Sequence, residues 1–89
     1  MRAVITVIGK DMVGILARVS TICAENGVNV LEVTQSVLQD LFAMIMLVEI
    51  TDSKVPFSEL SDRLERLGEE MGLTIHTMHE DIFNSMHRI

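Results

Sequence analysis

Apolar residues in this chain of 89 change their spacing along its length, from the two-residue period of a strand to the 3.6-residue period of a helix and back. Few folds accommodate that alternation. Residues 2–9 carry Ala3, Ile5 and Val7 on one side and Val4, Thr6 and Ile8 on the other, the pattern of a strand central in its sheet. From Val13 to Asn26, Ile15, Leu16, Val19, Ile22 and Cys23 follow helical spacing, and Gly27 ends the run as a cap. Val28 to Gln39 is strand-like, but its apolar parity passes from Val28 and Val30 to Leu31, Val33 and Val37, which predicts a bulge and an edge position. Gln39-Asp40 supplies a turn. Leu41 to Ile50 is then a strand with Phe42, Met44, Met46, Val48 and Ile50 on one face and Leu41, Ala43, Ile45 and Leu47 on the other. Pro56 suits a first helical position ahead of the stripe Phe57, Leu60, Leu64, Leu67 and Met71, which Gly72 closes. Leu73 to Met78 reads as a last strand and Asp81 to Ile89 as a short terminal helix bearing Ile82, Phe83, Met86 and Ile89.

The order strand, helix, strand, strand, helix, strand predicts an α+β, ferredoxin-like βαββαβ sandwich: a four-stranded antiparallel sheet with two helices on one face, plus a short C-terminal helix. The chain is expected to be a single domain over 1–89, with 80–89 as a helical extension. That plan leaves one sheet face bare, to be covered by the terminal helix or by a second subunit. A chain this short buries only about 60 to 65% of its unfolded surface, yet 48% of its residues are hydrophobic. A homodimer is therefore expected, with edge strands pairing across a two-fold axis.

Net charge is -6, and the seven basic residues are scattered, which argues against nucleic-acid binding. The longest apolar run, Leu41 to Val48, falls far short of the ~20 residues of a membrane helix, and no leader pattern opens the chain, so a cytoplasmic protein with no membrane partner is expected. Cys23, the one cysteine, reads as a small buried hydrophobe. No cofactor is expected.

The residues with most chemical content are Ile8-Gly9-Lys10-Asp11-Met12-Val13-Gly14-Ile15-Leu16, between a strand and a helix, followed by Asn26-Gly27-Val28-Asn29-Val30. A helix start leaves backbone N–H groups without intrahelical partners, and a first-turn glycine lets a small ligand approach them. A carboxylate could be held around Val13 to Ile15, with Asp11 or the Asn29 amide oxygen taking an ammonium. The structural alternative is equally readable: Gly14 permitting tight helix–strand packing, Asp11 capping the helix and Asn29 satisfying a turn.

This loop, with Gly27-Val28-Asn29-Val30 and the βαββαβ order, resembles the signature of ACT domains, small regulatory modules that bind amino acids. The likeness covers nearly the whole chain. It is strongest to the small stand-alone bacterial and archaeal ACT proteins related to the glycine cleavage system repressor and to the N-terminal domain of formyltetrahydrofolate deformylase. The resemblance implies dimerisation and a ligand between subunits, held by Gly9, Lys10, Asp11, Met12, Val13, Gly14 and Ile15 and by Asn29.

Elsewhere the patterns are plainer. His76, His79 and His87 raise a metal-responsive reading, but His76 and His79 fall on opposite faces of one strand, so no metal site is expected. Met44, Met46, Met71 and Met78 sit at core spacings. Ser20, Thr21 and Cys23 have no histidine or lysine at a useful spacing, and Glu69-Glu70 lie on a solvated helix face, so an enzyme is not expected. The function expected is a regulatory, amino-acid-sensing module, a homodimer that acts in trans on an effector protein because Met1 opens the first strand and the chain stops at Ile89. The alternatives are a ligand-free protein interaction module and, third, a metal-responsive protein.

Overall fold

The computed structural model describes residues 1–10 and 13–86. Strands β1 (Arg2–Gly9), β2 (Asn29–Leu38), β3 (Leu41–Glu49) and β4 (Thr74–His79) form one antiparallel sheet in the order β2-β3-β1-β4. Helices α1 (Ile15–Glu25) and α2 (Phe57–Met71) cover one face, and α3 (Glu80–Met86) follows β4. This is the ferredoxin-like βαββαβ arrangement.

The two strands with apolar residues on both sides, β1 and β3, are the two that lie in the middle. Ala3, Ile5 and Val7 of β1 and Phe42, Met44, Met46 and Val48 of β3 point to the helices and are buried, and Val19, Cys23, Leu60 and Leu64 close the core from above. Met44 and Met46 fill this core with no exposed surface. The parity change in β2 is a bulge. Val30 pairs with Val48 and Glu32 with Leu47, leaving Leu31 as the extra residue, so that Val33, Gln35 and Val37 share the helix side with Met46, Met44 and Phe42.

Some boundaries shift. The first helix begins at Ile15 rather than Val13, because Gly14 is left-handed at φ 74° and serves as its N-cap. Pro56 likewise stands at the N-cap of α2, one position before the helix proper. The inward line of α1 is Ile15, Val19 and Cys23, with Ile22 packed beside it; Leu16, expected in that stripe, lies on its flank and is 39% exposed. Helix α1 ends in a Schellman turn, with the Gly27 N–H donating to Ala24 O and the Val28 N–H to Cys23 O at 2.8 Å.

The helix-free face carries Arg2, Val4, Thr6 and Ile8 of β1 beside Leu41, Ala43, Ile45 and Leu47 of β3 and His76 and Met78 of β4. Helix α3 covers one corner of it. It touches β1 and β4, its Glu80 accepts from the Arg2 guanidinium at 2.9 Å, and Val4 is buried. Farther along, Ile8, Leu41 and Ile45 remain exposed. The expected run of α3 through Ile89 lies outside the described residues.

Candidate ligand site

The loop from Gly9 to Ile15 leaves the sheet at the end of β1 and turns into α1. Gly9 and Gly14 favour glycine for different reasons. A Cβ on Gly9 would overlap the side chain of Leu73, so Gly9 allows close packing of the β1 end. Gly14 has φ +74°, which L side chains rarely adopt, and among the described residues nothing beyond its chain neighbours stands within 4 Å of where its Cβ would be. The packing role considered for Gly14 therefore belongs to Gly9, and no described residue packs over Gly14. Lys10 and Val13 are exposed beside it, while Ile15 is buried and anchors the helix start in the core. The Arg18 N–H donates to Gly14 O at 3.0 Å, closing the first turn, and the amides ahead of it have no intrahelical carbonyl to reach. Asp11 and Met12 lie outside the described residues.

Asn29 does not join this loop within one chain. Since β2 runs parallel to β1 across β3, Asn29 pairs with Glu49, which pairs with Arg2, whereas Gly9 pairs with Phe42 and Phe42 with Val37. Asn29 thus stands at the far end of the sheet, about 23 Å away at ~3.3 Å per residue. Within one protomer Asn29 is therefore too far to take the ammonium of a small ligand whose carboxylate sits at the Gly14 turn. Around exposed Asn29, Glu49 accepts from the Met1 ammonium at 2.7 Å and from Thr51, contacts that lower its carboxyl pKa to about 2.

The histidines separate as their spacing predicts. His76 pairs with Thr6 on the helix-free side, and His79 pairs with Ala3 on the helix side, where its ring stacks on Phe57 with centroids 4.1 Å apart. They cannot share one ion within a protomer, no three metal-ligating side chains converge among the described residues, and His87 lies outside those residues. Ser20 and Thr21 donate their hydroxyls to carbonyls of α1 itself, at Leu16 and Ala17. Cys23 is fully buried, and burial raises its thiol to about 11.

One residue with a clear structural job had only a turn signal in the sequence. Asn26 is 4% exposed. Its Nδ2 donates to Ile22 O at 2.8 Å, its Oδ1 accepts from Arg63 Nη1 at 3.2 Å, and its main-chain O accepts from the Lys54 N–H at 2.7 Å. It ties the end of α1 to α2 and to the loop after β3.

An antiparallel sheet under two helices, with an open glycine turn at the first helix start, places the molecule among the ferredoxin-like βαββαβ domains. Residues 2–78 match the family model of the ACT domain, and the chain belongs to that family, whose members are typically regulatory, ligand-binding modules. A UPF0237 protein of Methanocaldococcus jannaschii is 50% identical over 88 residues, spanning 99% of this chain and 98% of that protein. An ACT domain protein from Streptococcus pneumoniae superimposes with a TM-score of 0.81 at 38% identity, covering 93% of both chains. The regulatory subunit of aspartate kinase from Thermus thermophilus, in its ligand-free form, gives a TM-score of 0.63 at 29% identity over 85% of this chain and 49% of that one.

Proposed function

We propose that this protein is an amino-acid-sensing ACT module that works as a cytoplasmic homodimer and acts in trans on an effector protein. The observation that carries the reading is Gly14: a left-handed turn at the start of an 11-residue helix, with no described residue beyond its chain neighbours within 4 Å of its Cβ position. A carboxylate seated there accepts from first-turn amides and meets the positive end of the helix dipole, a gain of roughly 0.3 to 1 kcal/mol. Gly9, Lys10, Asp11, Met12, Val13 and Ile15 form the rest of the loop. The similarity to the regulatory subunit of aspartate kinase supports a regulatory role.

The separation of Asn29 from the loop favours a site between subunits. Strand β2 is an edge, exposed along nearly all of its length. If two β2 strands pair antiparallel about a two-fold axis, the start of one lies beside the end of the other. Asn29 of the partner subunit then comes to the loop end of the sheet, where its amide oxygen can accept from the ligand ammonium. Pairing through β4 would leave Asn29 remote. Ligand bridging two protomers favours one arrangement of the dimer over another, with couplings of about 1 to 3 kcal/mol typical of such linkage.

Thermal unfolding against each of the twenty amino acids tests this. A ligand at 100 times its Kd adds about 2.7 kcal/mol, so one or two amino acids raise the unfolding temperature, and Gly14→Val loses that rise measured from its own baseline. No response to any amino acid would sink the sensor reading and leave a ligand-free interaction module.

A further inference from the structure

A groove runs between α1 and α2 on the outer side of the helix layer. It encloses about 360 Å³, within the lower range of small-ligand sites. Its floor is Ile22 and Leu67, and its walls carry Arg18, Arg63 and Arg66. Three of the seven basic residues of a chain with net charge -6 thus converge on one concavity. Glu25 and Glu70 also reach it, and Glu59 pairs with Arg63 at 3.5 Å, so the three guanidiniums stand beside carboxylates whose half-exposed pairings water screens.

The groove is partly built. Arg63 is not a free surface arginine: its Nη1 donates to the Oδ1 of Asn26, a side chain buried to 4% exposure and itself held by Ile22 O. A guanidinium fixed from behind in this way loses less freedom when it binds. Arg66 stands one turn further along α2 and makes no ion pair among the described residues. Across the groove Arg18 reaches Glu70 only at 3.8 Å, with both side chains more than half exposed, a pair worth little in water and easily exchanged for a better acceptor. The planar fork of arginine matches carboxylate and phosphate oxygens.

We propose that the α1–α2 groove is a second binding site, for a compact oxyanion of two or more negative charges, held by Arg18 and Arg66 around a prepositioned Arg63. Phosphate esters and di- or tricarboxylates share this chemistry, and the groove is separate from the Gly14 turn, so the proposal stands whatever occupies that turn.

Amide and arginine Nε–H NMR shifts of the full chain, followed during titration with sodium pyrophosphate and, separately, sodium citrate, test it against sodium chloride of matched ionic strength. Saturable shifts at Arg18, Arg63, Arg66, Ile22 and Leu67 with either anion support the site, and the anion that binds more tightly identifies the class. Arg66→Ala, an exposed change that leaves the core untouched, weakens binding at least tenfold, while Lys54→Ala on the loop outside the groove leaves it unchanged. Shifts reproduced by chloride, or equal affinity in Arg66→Ala, would overturn the proposal.

Discussion

A carboxamide taken out of water costs free energy unless its polar atoms find partners, and Asn26 finds them on two other elements at once. Losing both its side-chain bonds leaves Ile22 O with only the longer 3.3 Å bond from the main-chain N–H of residue 26, and the Arg63 guanidinium with only its exposed pairing to Glu59. Asn26→Ala should therefore destabilise the fold by about 1 to 3 kcal/mol, read as a lower urea midpoint with an unchanged slope. Cys23 makes the opposite case, a titratable group whose burial matters only at high pH. Its thiol is held neutral up to about 11 against an ordinary value of 9.0. In the unfolded chain it ionises near 9, so below that pH the two states bind the same proton and stability is unaffected. Above it the unfolded state is favoured, and stability falls as pH rises from about 9 toward 11. Denaturant midpoints of the wild type and Cys23→Ala, compared between pH 8 and 10.5, should converge with rising pH; parallel curves would show the thiol is not shielded.

At the scale of elements, the β2–β3 hairpin holds the clearest local misfit. Leu38 pairs with Leu41, so Gln39 and Asp40 alone make the turn, and Gln39 sits at φ 57°. Glycine is favoured where a two-residue hairpin needs positive φ; a residue with a Cβ costs about 1 to 2 kcal/mol there. Gln39→Gly, after the extra chain entropy of glycine, should stabilise the protein by about 0.5 to 1 kcal/mol in chemical denaturation. The elements themselves were legible because each has a face to bury: the stripe of α2, the doubly apolar β3, and the parity change that marks the Leu31 bulge. What periodicity does not carry is which ends meet. Asn29 follows α1 closely in sequence, so it reads as a neighbour of the glycine loop, yet an 11-residue helix running back over the sheet delivers it to the opposite end. The arginine groove was hidden for a related reason, since Arg18 and Arg63 come together only when α1 and α2 pack, and the Asn-Gly pair at 26–27 signals a turn without revealing the bond to Arg63.

For the molecule as a whole, the exposed edge of β2 is the feature that a lone protomer leaves unused. Ten residues of strand offer a row of backbone groups to any extended partner. Leu31, Val33, Val37 and Leu38 along it are exposed at 43%, 38%, 56% and 72%, apolar surface that a second copy of the same strand would cover. Two-fold pairing with the axis at Gln35 sets Val33 opposite Val37 of the partner subunit, where like charges directly opposite are destabilising. The double variant Val33→Lys/Val37→Lys should then run as a monomer in light scattering with its circular dichroism intact, while the wild type runs as a dimer. In hydrogen exchange the wild type should protect amides on both edges of β2, and the variant only those bonded to β3. Because the proposed ligand site takes Asn29 from the other protomer, the variant should also lose the amino-acid response that Gly14→Val loses. A wild-type protein that stays monomeric, or a monomeric variant that still responds to the ligand, would remove the intersubunit site and confine recognition to the Gly9–Ile15 loop.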